Sequence, residues 1–541
     1  MNSGSSRPRR ALVVRAGVAF VGLLVARGLA VYGTYFYEED EISLAAGASA
    51  LVRDDIGDVY RYTAQWGYYQ VVAVLDRVFG SDVSLIPYVM KGLSVLSGAL
   101  LPVLGCFLFT AQLSSRRRWL TATLLAACPI VWKSSQYGNT GLLSATLATA
   151  AVAILSNRPT RRIEAGALLL FGFSILVRAD AILLAPVVAW LVWHDRGSLR
   201  AALGPGIATA LGLLAAYAAI LTLDPRADDA AAAVVTHFRT PTDHFFWEYL
   251  VWAVSPIPLA LAVWGVRALL DERPRLLVAL LCWMLPPFAF YFAGTTTPRY
   301  FLLTVAPLAV AGAVGIDELA GRIRVWTGPR IAWTAILGAA TLHLFVGFGH
   351  FHGRLLSPLL GPSIITHDRG MPTGALLYDA YFRGGFLAQS LRGPGFGESA
   401  SPHWEGPLFE ATLGELARDR TPQPEVLVLL HSGWGHAFHF HAQAAGATYL
   451  SRAPGPASQP FKSLTRMTIG GHPFATIGRA SPPFSALRPA ELAGFDEVWV
   501  SGEAPFPTAE ERAKLPRGLV LVRTLGEGGR MHVYAVARRP G

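Results

Sequence analysis

Four consecutive carboxylates, Glu38-Glu39-Asp40-Glu41, stand directly after a long apolar run, Ala11–Gly33. Carboxylates packed this closely repel one another, which raises the proton affinity of at least one of them. Such a group suits a general base or a cation ligand. The plain alternative is a solvated negative loop balanced by nearby arginines. Four cations, Lys91, Lys133, Arg178 and Arg299, fall at or near the ends of other apolar runs. For each of them the ordinary role is snorkelling to the membrane interface. Arg178 is the least ordinary, because Asp180 follows it in a tight turn. Arg27, inside the first apolar run, suits a structural pairing within the helix bundle. His431, His436, His439 and His441 have spacings that could ligate zinc or copper, but no Cys or clear carboxylate completes the set. The segment His436–His441 equally suits a strand edge or loop. His237 and His244 read as part of a solvated loop.

The elements that must carry these residues are membrane helices. The chain has 541 residues, 52% of them hydrophobic and 15% charged, and a mean hydropathy of +0.39. That composition excludes an ordinary soluble protein and a disordered one. The net charge of +10 raises the question of a nucleic-acid partner. The arginines answer it by sitting in short connections: Arg7, Arg9 and Arg10, then Arg116–Arg118, Arg158 with Arg161 and Arg162, Arg196 with Arg200, Arg267 with Arg273 and Arg275, and Arg322 with Arg324 and Arg330. Every second connection is basic, which is an orientation code and not a nucleic-acid surface.

Apolar runs and basic clusters together predict spans near 11–33, 84–111, 119–133, 140–156, 163–177, 180–194, 202–223, 246–268, 276–293, 300–316 and 331–349. The fold class expected is therefore an α-helical polytopic membrane protein of about eleven spans. Its N-terminus is cytoplasmic, and residues 350–541 form an extracytoplasmic α/β domain behind a transmembrane domain of residues 1–349. Cys106, Cys128 and Cys282 fall inside predicted spans, so they form no disulfide framework. The first external segment, 34–82, alternates apolar and polar faces and carries Trp66, Tyr68 and Tyr69, as interfacial helices do. In the C-terminal region short β-prone runs, 375–378, 425–430, 497–500 and 519–522, alternate with Gly/Pro turns and one weak helix carrying Leu408, Leu413 and Leu416.

Several motifs in this frame share one resemblance. Asp40-Glu41, after a span containing Arg27, resembles the Asp-Glu motif in the first external loop of polyprenyl-phosphate-dependent glycosyltransferases of the GT-C fold, such as protein O-mannosyltransferases and aminoarabinose lipid A transferases. Ser84–Gly98 with Lys91 resembles the family's second helix. Arg178-Ala179-Asp180 with Pro186 is similar to its Arg-Pro-Asp/Glu-like turn, and Thr297–Leu303 with Pro307 looks like its Arg-Tyr segment opening a late helix. The resemblance covers about residues 10–350. Two departures stand out. Gln136-Tyr137-Gly138-Asn139-Thr140 has no acid where many relatives have a second Asp, and Trp66-Gly67-Tyr68-Tyr69 replaces a Pro-Pro-Leu-like segment.

The resemblance implies transfer of a sugar from a polyprenyl-phosphate donor to a lipid, glycan or protein acceptor on the extracytoplasmic face. Asp40 is then the base, and Glu41 orients Asp40, the acceptor or a bound cation. Arg178, Arg299, Lys91 and Lys133 hold the donor phosphate, supported by Asp180 and Tyr300. No cofactor is defined by the residues, though a divalent cation is compatible with the acidic pair. The alternative reading is a multispan transporter or lipid flippase with an external sensor domain, but neither internal repeats nor broken mid-membrane helices are evident.

Overall fold

In the computed structural model the described residues are 6–31, 39–52, 65–157 apart from 81, 159–197, most of 250–327 and most of 406–536, with short pieces between 204 and 219. The chain forms two compact units. One comprises Met1–Gly33, Arg61–Tyr68 and Met90–Phe396; the other comprises Thr34–Tyr60, Tyr69–Val89 and Gly397–Gly541.

The first unit is helical. Its elements are α1 (Ser6–Val31), the start of α3 (Trp66–Phe79), α4 (Ile86–Gly105), α5 (Ser115–Ala127), α6 (Pro129–Ser134), α7 (Thr140–Leu155), α8 (Arg161–Val177), α9 (Ala185–Arg196), α10 (Pro256–Glu272), α11 (Pro274–Ala293) and α12 (Val305–Thr327). Among the described residues, three stretches are long and apolar enough to cross a membrane: Ala11–Leu29, Val83–Gly105 and Pro274–Ala293. Large apolar side chains point outward from several helices, including Val14, Val18 and Leu29 on α1, Leu169 on α8 and Val263 on α10. An outer surface of this kind suits lipid, not water. The expected spans at 331–349 and most of 202–223 lie outside the described residues.

Where one span is expected at 119–133, two helices occur. Pro129 cannot donate a backbone hydrogen bond, and Cys128 is extended (φ −66°, ψ 124°), so α5 ends and α6 begins afresh. Carbonyls freed by that break need donors. Arg27 supplies one from α1, where Nη2 donates to the Ala126 carbonyl at 3.4 Å; its Nη1 reaches the end of α6, donating to the Val131 carbonyl at 3.0 Å and to the Ser135 hydroxyl. The guanidinium also lies 4.5 Å from the Trp132 ring centre and is 1% exposed. Gly98 of α4 makes room for this junction, because a Cβ there would collide with Ser135 Oγ.

Helices α10 and α12 cross at two glycines. A Cβ on Gly265 would collide with the Ala311 carbonyl, and one on Gly315 with the Leu261 carbonyl. Backbone contact of this sort is what small residues on facing helices, Gly265 against Ala311 and Gly315, permit between membrane helices.

The two ends of the bundle differ chemically. At one end, where α5 starts and α10 finishes, Arg117 bonds Glu272 and Asp317 at 2.8 Å each and Arg116 reaches Asp317 at 3.1 Å; where α8 starts and α9 finishes, Arg196 bonds Glu164 at 2.8 Å. The basic clusters read as an orientation code therefore also tie helices together.

The second unit holds α2 (Glu39–Val52), the rest of α3, and the C-terminal region. Helix α2 opens with three carboxylates, which the positive end of the helix dipole favours. The C-terminal region contains α13 (Gly406–Leu416), β1 (Val426–Leu429), α14 (Trp434–Ala444), β2 (Thr448–Pro454), β3 (Ser463–Ile469), β4 (His472–Ile477), α15 (Pro489–Leu492), β5 (Glu497–Ser501), β6 (Leu519–Leu525) and β7 (Met531–Val536). The strands form one seven-stranded sheet in the order β2-β3-β4-β1-β5-β7-β6. β1 pairs in parallel with β4 and β5, and the remaining pairs are antiparallel. All four residues of β1 are buried, as befits a central strand covered on both faces. Phe438 of α14 meets Phe474 of β4 on one face; Leu487, Leu492 and Phe495 pack against Leu427, Val498 and Tyr534 on the other.

Three expected strands and the weak helix appear in place, while the run at 375–378 lies outside the described residues. One expectation is corrected. The segment containing His436–His441 is helix α14, not a strand edge or loop. Its residues 438–443 are all buried, so the helix is covered on every side and not on one face alone.

Candidate active site

Asp180 is the centre of a polar cluster at the end of the first unit opposite its ion pairs. Helix α8 stops at Arg178, whose extended backbone (φ −157°, ψ 119°) breaks the helix before a short 3-10 turn, Ala179–Leu184. The break folds the Arg178 side chain back onto its own turn, where Nε lies 2.9 Å from Asp180 Oδ1 and 2.8 Å from Oδ2. Nη1 donates to the Thr140 hydroxyl at 3.3 Å, at the start of α7. Tyr291, near the end of α11, donates its hydroxyl to Asp180 Oδ2 at 2.7 Å.

Tyr300 lies in a 3-10 turn, Pro298–Leu303, leading into α12. Its ring stacks on Tyr291 at 5.2 Å between centres and lies 5.0 Å from the Arg178 guanidinium. Arg299 approaches the same ring at 5.9 Å. Four helix ends therefore converge here, with two guanidinium groups near one tyrosine and a carboxylate gripping one of them. A guanidinium oriented in this way keeps other donors available to a planar or tetrahedral anion.

A second strand of the network starts at Lys133. The ammonium lies 5.9 Å from the centre of the Tyr137 ring, and the Tyr137 hydroxyl accepts a 2.7 Å bond from Asn139 Nδ2. Asn139 caps α7: its Oδ1 accepts from the Leu142 amide at 3.1 Å, which explains why the helix begins at Thr140. The Asn139 amide in turn donates to the Ser94 hydroxyl at 3.0 Å, one turn after Lys91 on α4. Lys91 and Lys133 are both buried. Gly141 lets this cap sit close to Arg178, since a Cβ there would come within 3.1 Å of Asn139 Oδ1 and 3.9 Å of Arg178 Cδ.

Of the expected site residues, Arg178, Asp180, Tyr300 and Arg299 thus come together, and Lys133 joins the same network through Tyr137 and Asn139. Asp40 and Glu41 belong to the second unit, in the first turn of α2, and Glu41 is fully buried. Glu38 lies outside the described residues, as do His237, His244 and His431. Tyr291 and Asn139 were not anticipated from the sequence. Asn139 was readable as a helix cap before Thr140-Gly141, and Tyr291 as a polar aromatic near the end of an apolar span.

The histidine set does not form a metal centre among the described residues, where no three His, Cys, Asp or Glu side chains converge. His439 is bonded to the Thr476 hydroxyl on β4, and His441 packs between Phe409 and Phe440. Burial pushes the His441 imidazole down to about 4.

The fold is the GT-C fold of membrane glycosyltransferases that use polyprenyl-phosphate-linked donors. The chain is similar over nearly its whole length to ArnT of Cupriavidus metallidurans. Against the structure bound to undecaprenyl phosphate the TM-score is 0.59 at 15% identity, covering 97% of this chain and 99% of that one. Against the apo structure it is 0.58 at 16% identity, covering 98% and 100%. It is also similar to the archaeal oligosaccharyltransferase AglB from Archaeoglobus fulgidus, solved with an inhibitory peptide and a dolichol-phosphate, with a TM-score of 0.50 at 13% identity over 89% of this chain and 69% of that one. No protein-family profile matches the sequence, and no curated protein matches it by sequence.

Proposed function

We propose that the protein is a membrane glycosyltransferase that moves a sugar from a polyprenyl-phosphate donor to a hydroxyl-bearing lipid, glycan or protein on the extracytoplasmic face. The observation that carries this reading is the Arg178–Asp180–Tyr300–Arg299 cluster at one end of a GT-C helical bundle. Its likeness in fold to ArnT, solved with undecaprenyl phosphate, supports a lipid phosphate as the ligand.

In the proposed reaction an acceptor hydroxyl oxygen attacks the anomeric carbon of the sugar. Asp40 takes the hydroxyl proton, a new carbon–oxygen bond forms, and the bond from the anomeric carbon to the phosphate oxygen breaks. The electron pair leaves with polyprenyl phosphate. Arg178, Arg299, Lys91 and Lys133 stabilise the added charge, and Asp180 and Tyr300 hold Arg178 in position. Glu41 orients Asp40, the acceptor or a bound cation. In this reading about eleven spans make up residues 1–349, the N-terminus is cytoplasmic, and residues 350–541 form the extracytoplasmic α/β domain.

The test uses the full chain in lipid nanodiscs. Undecaprenyl phosphate binds the wild type, and Arg178→Met weakens that binding by about tenfold or more. A panel of undecaprenyl-phosphate sugars then reports transfer through release of undecaprenyl phosphate. Asp40→Asn binds the lipid but does not release product. Full transfer by Asp40→Asn removes Asp40 as the base, and energised solute movement without covalent transfer replaces the enzyme reading with a transporter.

A further inference from the structure

Helix α11 follows the turn that carries Arg299 and Tyr300 along its length. Tyr291 stacks on Tyr300 at 5.2 Å and meets Phe301 edge-on at 6.3 Å between ring centres. Phe288 meets Phe301 in the same manner at 6.2 Å. Trp283 makes a contact of another kind, because its indole Nε1 donates to the Leu303 carbonyl at 2.9 Å, where the turn ends. Trp283 is completely buried and Leu303 is 4% exposed, so neither has water as a substitute partner.

The sequence explains why that carbonyl needs a donor from elsewhere. Where a turn runs into a helix, the amide four residues on ordinarily closes onto each carbonyl, as the Leu308 amide does onto the Thr304 carbonyl at 3.2 Å. Four residues after Leu303 stands Pro307, which has no N–H. Trp283 supplies from the neighbouring helix the bond that the chain cannot make to itself, in surroundings where a bare carbonyl is costly. Ring contacts such as those of Phe288 and Tyr291 hold over a range of offsets. An N–H···O bond weakens steeply when it leaves its line. The Trp283 bond is therefore the contact that fixes where the turn sits along α11.

That position matters because the other end of the turn lies in the phosphate cluster. The turn is only six residues long, and the Phe301 carbonyl braces its exit by accepting from both the amide and the hydroxyl of Thr304 at 2.8 Å each. A shift at Leu303 is passed along so short a segment to Tyr300, 5.0 Å from the Arg178 guanidinium, and to Arg299 beside the same ring. We propose that Trp283 is a positioning residue of the phosphate site: through the Leu303 carbonyl it sets the turn, and through the turn it sets Arg299 and Tyr300 against Arg178. The inference rests on the reading of that cluster as the donor-phosphate site, and Trp283 itself touches no ligand.

The experiment uses the full chain in nanodiscs with undecaprenyl phosphate as the probe, and measures affinity and thermal unfolding for Trp283→Phe, Arg299→Met, Trp283→Phe with Arg299→Met, and Trp283→Phe with Pro307→Ala. Trp283→Phe should weaken lipid binding by about threefold or more. In the Arg299→Met background the same substitution should cost less affinity, although it lowers the unfolding temperature equally in both; a merely structural role would not produce that split. Pro307→Ala returns an N–H to the position that lacks one, and should recover most of the affinity lost in Trp283→Phe. Wild-type affinity in Trp283→Phe, an equal loss of affinity in the two backgrounds, or no recovery with Pro307→Ala overturns the inference. If Arg178→Met and Arg299→Met both bind as tightly as the wild type, the phosphate reading of the cluster fails and takes the inference with it. Should Trp283→Phe not fold, benzothienylalanine at position 283, which keeps the shape of the indole and lacks its N–H, carries the same comparison.

Discussion

Arg178 binds Asp180 through both carboxylate oxygens at 2.9 and 2.8 Å, two residues apart in a turn that no regular helix could make. The pair is held further by Tyr291 and Thr140 from two other helices. A guanidinium fixed on three sides loses little freedom when an anion binds, so its contribution to binding is larger than that of a mobile surface arginine. Arg178→Lys keeps the charge but lacks the planar fork, and its affinity for undecaprenyl phosphate should drop by about tenfold. Tyr291→Phe removes one bond to Asp180 and should cost about 1 kcal/mol of stability, with lipid affinity nearly retained. Lipid titration and thermal unfolding of the two variants separate these outcomes.

Gly265 and Gly315 place the backbones of α10 and α12 in contact. Gly265→Leu should force the helices apart and cost about 1–3 kcal/mol or more. Thermal unfolding in detergent shows the loss; a midpoint equal to the wild type would mean the crossing is looser than described.

His441 should make the second unit acid-sensitive. Its imidazole is held down to about 4 by burial, against an ordinary value of 6.5. Between those values the unfolded chain binds the proton and the folded chain does not. Stability is therefore complete above pH 6.5, declines as the pH falls, and levels off below about 4 after a loss of roughly 3 kcal/mol. His441→Leu should flatten the profile across that window. Protease resistance of the full chain as a function of pH measures it.

Asp76 gives a dependence of opposite sign. It is fully buried on α3, and neither carboxylate oxygen has a hydrogen-bond partner among the described residues. Burial, with help from Asp82, pushes its carboxyl above the ordinary 3.8. The folded chain therefore keeps the proton to higher pH than the unfolded chain, and stability falls as the pH rises past 3.8 through the raised value. Asp76→Asn should raise the melting temperature at neutral pH and leave it unchanged near pH 3. A lower melting temperature at pH 7 would falsify this account and point to a cation held by the carboxylate.

Much of this molecule was readable before the coordinates. Span-length apolar runs located α1, α4 and α11, and Arg178-Ala179-Asp180 marked a turn because two charges at a helix end need each other. Strands β1, β5 and β6 followed from runs of Val and Leu between turn residues. What was not readable is whatever depends on partners distant in the chain. The Gln136–Thr140 segment, which lacks an acid, offers Asn139 as a local cap, but nothing local tells that the Tyr137 hydroxyl and Ser94 of another helix bond to it. Likewise, His436–His441 reads as irregular because its aromatic and polar residues show no amphipathic stripe; a helix buried on all sides has none to show.

The clasp at the α5–α6 break also bears on how the chain is made. Arg27 emerges from the ribosome some hundred residues before its acceptors, being separated by 99, 104 and 108 positions from Ala126, Val131 and Ser135. Until those residues are synthesised, the first helix carries an uncompensated guanidinium into the translocon. A buried guanidinium without acceptors is costly, so the helix is expected to settle only when the fourth to sixth helices arrive. Biogenesis of this protein should therefore contain a late docking step for its earliest helix, and nascent chains ending before residue 126 should hold that helix only loosely in the bilayer.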